Sequence, residues 1–309
     1  MINILFAGHQ QRWDEYQAPL DEALTDRGLE FSLLPSCPPE EVDYIVYDPS
    51  GPLEDFTPYS RCQAVMGLWA GVENVVDNST LSAPLTRMVD QNLTRGMVEW
   101  VVGHSLRHHL GMDRHLFGQD GIWRSEITPL AADRPITILG MGALGRACAE
   151  ALADLGFPVT GWSRTRKRIT GVEMYCGERW FNNALKGAQI IITLLPLTPQ
   201  TRNCIDAKCL ASLPRGAVLI NPGRGALIDE SALLEALDTG HIEHATLDVF
   251  AHEPLPPEHP FWAHAKVTVT PHIAAATRPE SASRVIAANV WRSQTGRPLL
   301  YRVDRESGY

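Results

Sequence analysis

The sequence predicts an α/β protein built from two doubly wound parallel-sheet domains. Short β-branched and apolar runs alternate with helical patterns along most of the chain, which is typical of parallel βαβ units. The length of 309 residues suits about two domains. A glycine-rich turn, Gly140-Met141-Gly142-Ala143-Leu144-Gly145, lies between a strand-like run and a helical one, as in nucleotide-binding α/β domains.

The first third of the chain predicts one α/β unit. Strands are expected at residues 2–7, 31–34, 44–47 and 64–68, and a helix at residues 12–27, ending at Gly28. The small-residue turn Trp69-Ala70-Gly71 follows the last strand. Since ligands bind beyond the carboxyl ends of parallel strands, the N–H groups of Ala70 and Gly71 are candidates for holding an anion. A plain turn fits the same pattern.

The rest of the chain predicts a second parallel sheet, after which the chain returns to the first α/β unit. A largely apolar helix is expected at residues 97–110. Strands are predicted at 136–139, 159–162, 189–195, 217–221, 245–249 and 267–270. Helices are predicted at 200–213, 229–237 and 278–291. Asp229 is the expected N-cap of the helix at 229–237. The expected domains are residues 1–96 with 275–309, and residues 97–274.

The glycine turn predicts a dinucleotide pyrophosphate on the N-terminus of the following helix. One glycine makes the tight turn, one lets the backbone approach phosphate, and one lets helix and sheet pack closely. The expected contacts are Gly140, Gly142, Ala143, Leu144 and Gly145. An ordinary βα turn without a ligand is the alternative.

The next strand indicates which dinucleotide is bound. NAD-binding units place an acid about 20 residues beyond the glycine turn, on the ribose 2′-hydroxyl. Here Ser163 lies 18 residues beyond Gly145, and a basic run that contains Arg164 and Lys167 follows without an acid. A hydroxyl with Arg and Lys suits a 2′-phosphate, which favours NADP(H) and leaves NAD(H) possible. The alternative is a solvated basic loop.

Composition narrows the class of protein. The net charge of −9 argues against a nucleic-acid partner, and no apolar run approaches the length of a membrane span. The N-terminus lacks the basic region and the cleavage site of a signal peptide, so a cytoplasmic protein is expected. The six cysteines are scattered without a C-x-x-C pair, which predicts free thiols.

Four histidines lie in or next to one helical stretch: His104, His108, His109 and His115. They lack the spacing of a zinc motif, and no metal site is predicted. A metal cluster there is possible, but a solvated helix face is the favoured interpretation.

Three loops beyond predicted strands carry the groups that carbonyl reduction needs. Arg224 lies in Asn-Pro-Gly-Arg-Gly, Glu253 in Phe-Ala-His-Glu-Pro, and His272 in Thr-Pro-His. A guanidinium suits the carboxylate and carbonyl of a keto acid, and a histidine suits proton donation to the oxygen. A carboxylate on the other imidazole nitrogen would orient the ring and favour its charged form. Each residue alone also has a purely structural interpretation.

The sequence resembles the D-isomer-specific 2-hydroxyacid dehydrogenases over nearly the whole chain. The resemblance rests on GMGALG, ITLLPLTPQTRNCI, LINPGRGALIDESALLEAL, LDVFAHEPLP and TPHIAAAT. It implies a flavodoxin-like substrate domain and a Rossmann cofactor domain, with the active site in the cleft between them. Implied catalytic roles are substrate carboxylate binding by Arg224 and proton donation by His272, supported by Glu253.

The resemblance also implies further site residues. Trp69, Ala70 and Gly71 match the substrate-carboxylate loop, while Arg278 and Tyr47 are expected to add a charge and a wall to the substrate pocket. Leu195 and Pro196 are expected beside the nicotinamide, and Asp248 near its carboxamide.

The expected activity is NADPH-dependent reduction of small 2-keto acids, with glyoxylate and hydroxypyruvate as the first candidates. The resemblance implies a homodimer formed through the segment around residues 97–110. A nucleotide-sensing, corepressor-like binding protein and a dehydrogenase of another substrate, such as D-lactate, are the alternatives.

Overall fold

The computed structural model describes residues 1–308. The chain forms two compact units, which divide between Leu93 and Thr94 and between Ala275 and Ala276. The first unit therefore contains both ends of the described chain. The predicted α/β class with two parallel sheets is confirmed.

The first unit contains a five-stranded parallel sheet with the order β2-β1-β3-β4-β5. This is the flavodoxin-like strand order, 2-1-3-4-5. The strands are β1 (Ile2–Ala7), β2 (Phe31–Leu34), β3 (Tyr44–Tyr47), β4 (Ala64–Gly67) and β5 (Leu85–Thr86).

Helices α1 (Gln10–Thr25) and α8 (Pro279–Gln294) pack against each other in this unit. The buried residues of α1 recur at helical spacing, and they meet Ile286 and Val290 of α8 in one core. Helix α1 begins two residues before the predicted start and is followed by Gly28 at φ +67°, the left-handed conformation that favours glycine.

The second unit contains a seven-stranded parallel sheet with the order β12-β11-β10-β9-β6-β7-β8. The strands are β6 (Ile136–Leu139), β7 (Val159–Ser163), β8 (Val172–Cys176), β9 (Ile190–Thr193), β10 (Ala217–Asn221), β11 (Ile242–Leu247) and β12 (Val267–Val269). The central strands are buried on both faces, as their continuous apolar runs require.

The remaining helices are α2 (Gln91–His109), α3 (Met112–Leu116), α4 (Ala143–Asp154), α5 (Phe181–Leu185), α6 (Ala207–Ala211) and α7 (Glu230–Asp238). Asp229 caps α7 as predicted, because its carboxylate accepts a hydrogen bond from the Ala232 N–H. Helix α6 is shorter than predicted: Asp206 caps its start, and residues before it form turns.

Two strands were not predicted from the sequence. Strand β8 is a half-exposed edge strand with Glu173 on its open face, so it lacks a continuous apolar run. Strand β5 has two residues, too few for a period to be recognised.

The expectation of a solvated histidine face on α2 is wrong for two of its members. His108 Nε2 lies 2.8 Å from Thr246 Oγ1 of β11, and His109 is 6% exposed, with its ring edge-on to Phe157. Burial lowers the pKa of His108 to about 3, with the neighbouring positive charges of His244 and Arg107 acting in the same direction. Burial also lowers the pKa of His109. Both histidines therefore pack in the interior, where burial favours their neutral form.

Within residues 1–308, no three metal-ligating side chains come together. None of the helices described there combines the length and the hydropathy that a membrane span requires. All six cysteines are free thiols.

Candidate active site

Packing requires glycine at two positions of the turn between β6 and α4. Gly140 has φ +103°, and a Cβ there would lie 2.4 Å from the Leu194 carbonyl oxygen. A Cβ on Gly145 would lie 1.9 Å from the Gly140 carbonyl oxygen, so α4 can approach β6 only with glycine there. A Cβ on Gly142 would meet nothing within 4 Å, so space for a ligand is open at that residue.

The N-terminus of α4 fits a phosphate group. Gly142 is its N-cap and offers no side-chain acceptor to the first-turn N–H groups of Ala143, Leu144 and Gly145. These donors and the positive end of the helix dipole are the elements of an anion site. The residues present therefore fit the pyrophosphate of a dinucleotide.

The basic segment after β7 lies against this turn. Lys167 Nζ donates a 2.6 Å hydrogen bond to the Met141 carbonyl, and the buried Ser163 donates its hydroxyl to the Thr165 carbonyl at 2.8 Å. Arg164 is exposed between them. The side chains at this strand end are thus a hydroxyl and cations, which suits a 2′-phosphate.

Leu195 and Pro196 follow β9, the strand beside β6. Leu195 is buried, and the Pro196 carbonyl accepts a hydrogen bond from Thr201 Oγ1 at 2.7 Å. Their expected place beside the nicotinamide remains a prediction.

A buried asparagine that had no predicted role shapes the Arg224 loop. Asn221 ends β10, and its side-chain oxygen accepts hydrogen bonds from Thr193 Oγ1 at 2.5 Å and from the Gly223 N–H at 3.1 Å. Its amide nitrogen donates to the Arg224 carbonyl at 3.0 Å. A polar residue that ends an apolar strand run is the sequence signal for such an anchor. The Arg224 guanidinium donates to the Gly223 carbonyl at 2.7 Å.

His272 and Glu253 come together as expected from the sequence. His272 Nδ1 lies 2.7 Å from Glu253 Oε2, while Glu253 Oε1 accepts the Phe250 N–H at 2.8 Å. The imidazole is half-exposed and its Nε2 remains available to a ligand.

The two pKa values are displaced in opposite directions. The hydrogen bond to Glu253 raises the pKa of His272, against burial and the charge of Arg224, which lower it. Burial favours a raised pKa for Glu253, but hydrogen bonds from His272 and Phe250 and the charges of His272 and Arg224 outweigh it, and the pKa is lowered. The pair is therefore stabilised as imidazolium and carboxylate.

Asp248 holds the loop that carries His272. This fully buried carboxylate accepts hydrogen bonds from Thr270 Oγ1 at 2.6 Å and from the backbone N–H groups of Ile273 and Ala274 at 2.9 Å each. The His272 N–H donates to the Asp248 carbonyl at 2.8 Å, and His272 has φ +54°. A non-glycine residue in this region needs such support. The expected place of Asp248 near a carboxamide remains a prediction.

The other predicted residues lie in the first unit, where the Trp69-Ala70-Gly71 turn follows β4. The Trp69 carbonyl accepts the Met88 N–H at 2.8 Å, and Trp69 is 37% exposed. Among the described residues, no group accepts a hydrogen bond from the N–H of Ala70 or Gly71. Two adjacent amides are therefore available to an anion.

Arg278 and Tyr47 are also in the first unit. Thr277 Oγ1 donates to the Leu68 carbonyl at 3.0 Å, so the segment that carries the exposed Arg278 lies along the start of this turn. Tyr47 is 5% exposed and its ring packs on Phe56 in the core. Its expected role as a pocket wall remains a prediction.

A doubly wound sheet with a glycine turn, and with Arg, Glu and His beyond its strand ends, defines a nicotinamide-dependent oxidoreductase. The family model for the D-isomer specific 2-hydroxyacid dehydrogenase, NAD binding domain, matches residues 101–274. The chain belongs to the D-isomer-specific 2-hydroxyacid dehydrogenase family.

Similar proteins cover most of the chain. Glyoxylate/hydroxypyruvate reductase A of Yersinia enterocolitica is 40% identical in an alignment of 280 residues that covers 87% of this chain and 88% of that protein. The counterpart from Serratia proteamaculans is 41% identical over 258 residues, 81% and 82% of the two chains.

Two solved structures share the fold. A D-isomer specific 2-hydroxyacid dehydrogenase of Xanthobacter autotrophicus Py2, in complex with NADPH and MES, has a TM-score of 0.92 and 37% identity over 99% of both chains. The NADPH-dependent glyoxylate/hydroxypyruvate reductase of Sinorhizobium meliloti, in complex with NADP and sulfate, has a TM-score of 0.86 and 34% identity over 100% of both chains.

Proposed function

We propose that this protein is an NADPH-dependent reductase of small 2-keto acids, which converts glyoxylate to glycolate and hydroxypyruvate to D-glycerate. The observation that carries the proposal is the 2.7 Å contact between His272 Nδ1 and Glu253 Oε2. This contact raises the pKa of His272 and lowers the pKa of Glu253, which suits a proton donor supported by a carboxylate. The activities named for the relatives support the same substrates.

The chain's own residues divide the chemistry between them. A bound reduced nicotinamide supplies the hydride that reaches the carbonyl carbon. Arg224 pairs with the substrate carboxylate and polarises the ketone. His272 gives its Nε2 proton to the carbonyl oxygen, and Glu253 stabilises the charged imidazole before that transfer.

NADP(H) is the proposed cofactor, with NAD(H) as a weaker one. The N-terminus of α4 would hold the pyrophosphate, and Ser163, Arg164 and Lys167 would hold the 2′-phosphate. The support is the absence of an acid at the end of β7, together with the NADPH and NADP named with two similar structures.

In the first unit, the N–H groups of Ala70 and Gly71 are proposed to bind the substrate carboxylate. Their support is the open pair of donors at the end of β4. Arg278 would add a positive charge to the same substrate region, because its segment lies along this turn.

We also propose a cytoplasmic homodimer that uses α2 and the segment after it. Apolar side chains of that segment are strongly exposed in the single chain: Phe117 (80%), Ile122 (65%), Trp123 (94%) and Ile127 (97%). Such a patch is typical of a surface that another chain covers. Light scattering on the purified protein should give twice the chain mass of 34.2 kDa. A monomer at micromolar concentration would contradict the dimer.

The activity is tested by following NADPH oxidation with glyoxylate, hydroxypyruvate, pyruvate and phosphohydroxypyruvate, each repeated with NADH. Turnover with the first two acids and NADPH is expected to exceed that with the others. The absence of oxidation above background with any keto acid would refute the reductase function. It would favour the alternative of a nucleotide-sensing binding protein.

Proton donation is tested separately with His272→Ala. Because the variant removes the proton donor and none of the proposed cofactor contacts, turnover should fall by roughly a hundredfold or more while NADPH binding is kept. Undiminished turnover would refute the role of His272.

A further inference from the structure

The C-terminal segment extends the first sheet at its β5 edge. Thr86 of β5 and Arg302 form an antiparallel bridge, Val303 N–H donates to the Leu85 carbonyl at 2.9 Å, and Arg87 N–H donates to the Tyr301 carbonyl at 3.1 Å. Val303 is buried in the core on this side of the sheet. The backbone of the segment is thus fixed before Arg305.

Arg305 then binds three backbone carbonyls of a single loop, residues 72–81. Its Nε donates to the Val76 carbonyl at 2.8 Å and its Nη2 to the Asn78 carbonyl at 2.7 Å, while Nη1 donates to the Leu81 carbonyl. These donors form the planar fork of a half-buried guanidinium, a geometry that lysine cannot reproduce.

The 72–81 loop begins directly after Gly71. The Val72 carbonyl accepts the N–H groups of Val75 at 3.0 Å and Val76 at 2.8 Å, which closes a tight turn, and all three valines are buried. The carbonyl of Val76 that Arg305 holds therefore belongs to the same turn that starts one residue after Gly71. A shift of this turn would move the N–H groups of Ala70 and Gly71.

The loop has other anchors on its far side. Asn78 Nδ2 donates to the Glu54 carbonyl at 2.7 Å, and the Asn78 side-chain oxygen accepts the Thr80 N–H and hydroxyl. The Met88–Trp69 hydrogen bond fixes the chain before Ala70. The backbone links the two ends of the loop, because the Asn78 N–H donates to the Val75 carbonyl at 3.1 Å and the Leu81 N–H donates to the Asn78 carbonyl at 3.2 Å. Arg305 adds a side-chain link between the near turn, at Val76, and the far end, at Leu81.

We propose that Arg305 is a positioning residue for substrate binding: its guanidinium holds the 72–81 loop so that the N–H groups of Ala70 and Gly71 keep the direction that a carboxylate needs. This inference rests on the proposed function of that turn. A purely structural role would lower stability and leave substrate affinity unchanged. A positioning role changes the KM for the keto acid, because a small displacement of donors weakens binding strongly.

The test compares Arg305→Lys and Arg305→Ala with Arg302→Ala. Arg302 is exposed and has the same charge on the same segment, so its variant controls for charge and for the C-terminus. For each protein we would measure amide hydrogen exchange of the peptide over residues 69–81, the thermal midpoint, the Kd for NADPH, and KM and kcat for glyoxylate. The lysine variant, which keeps the charge, provides data if the alanine variant fails to fold.

Both Arg305 variants should exchange faster over residues 69–81 and raise the KM for glyoxylate roughly tenfold or more, with a smaller change in kcat and the same Kd for NADPH. Arg302→Ala should match the wild type in all of these. An unchanged KM, or unchanged exchange over 69–81, would overturn the inference. Absent glyoxylate turnover in the wild type would instead refute the proposed function, and the exchange experiment would still decide whether Arg305 holds the loop.

Discussion

The imidazole Nδ1 of His272 and the carboxylate Oε2 of Glu253 lie 2.7 Å apart, and the second oxygen of Glu253 is held by the Phe250 N–H. Oε2 thus bonds to the imidazole, while Oε1 accepts the Phe250 N–H and fixes the carboxylate to the backbone. This arrangement determines which nitrogen of His272 faces a ligand. It also raises the pKa of His272, since the charged imidazole is the form that Glu253 stabilises.

The pH dependence of reduction should follow from this contact. Reduction consumes the His272 proton, so activity is full below the raised pKa and falls as the pH rises through it. Glu253→Gln removes the negative charge, which lowers the pKa of His272 and moves the alkaline limb of kcat/KM to lower pH. Near neutral pH, kcat should fall by about tenfold or more.

Glu230→Gln is the matched control for that experiment. Glu230 also contacts a histidine of the second unit, His259, at 3.3 Å, but neither residue has a proposed catalytic role. Its pH profile should equal that of the wild type. An alkaline limb that stays in place in Glu253→Gln would show that His272 does not titrate in the profile.

The carboxylate of Asp248 should matter through the backbone it holds. An amide at this position cannot accept all three hydrogen bonds, because its NH2 group would face a donor such as the Ala274 N–H. Asp248→Asn should lower the free energy of unfolding by about 2 kcal/mol and kcat/KM by roughly tenfold to a hundredfold, since His272 loses the support for its left-handed conformation.

Asp229→Asn provides the comparison, because Asp229 also accepts a backbone N–H in the second unit, at the start of α7. This variant should lose a little stability and keep its kcat/KM. Chemical denaturation and steady-state kinetics measure the two effects. Equal kcat/KM for Asp248→Asn and the wild type would contradict the positioning of His272 by Asp248.

Replacing Arg224 by lysine should impair the reaction although the positive charge is kept. A planar guanidinium can pair with a carboxylate through two parallel hydrogen bonds, and an ammonium cannot. Arg224→Lys should therefore reduce kcat/KM for glyoxylate by roughly a hundredfold, with a rise in KM as well as a fall in kcat. Arg215 donates a hydrogen bond to the Thr239 carbonyl and has no proposed catalytic role, so kcat/KM of Arg215→Lys should equal that of the wild type. Equal losses in both variants would indicate a general effect of charge or folding.

Sequence patterns predicted the buried framework well and its exposed edges poorly. Strands β6 and β10 have the predicted bounds because strands buried on both faces require uninterrupted apolar runs. Edge strand β8 was missed because polar residues are tolerated on its open side. Helix α2 begins six residues before its predicted start, because Asp90 accepts the N–H groups of Asn92 and Leu93 ahead of the apolar pattern.

For the site, the sequence predicted residue types better than their contacts. Sites at His272, Glu253 and Arg224 were predicted from the loops that follow strands, and the structure brings His272 and Glu253 into contact. The contacts of Asp248 with Thr270, Ile273 and Ala274 depend on how two strand ends meet in space. Arg305 lies far along the chain from Val76, and no local pattern records such a pairing.

Cofactor choice should depend on the charge at Ser163. A carboxylate there would repel a ribose 2′-phosphate and accept a hydrogen bond from a 2′-hydroxyl. Ser163→Asp should therefore raise the KM for NADPH by about tenfold or more and leave the KM for NADH equal or lower. Ser163→Asn is the control, because asparagine has the size of aspartate without its charge. A control for size is needed because Ser163 is only 6% exposed, so either larger side chain must displace its neighbours. The asparagine variant should weaken the binding of NADPH and NADH alike. The ratio of kcat/KM with NADPH to kcat/KM with NADH therefore isolates the effect of the charge. If aspartate and asparagine change that ratio equally, the 2′-phosphate does not bind beside Ser163.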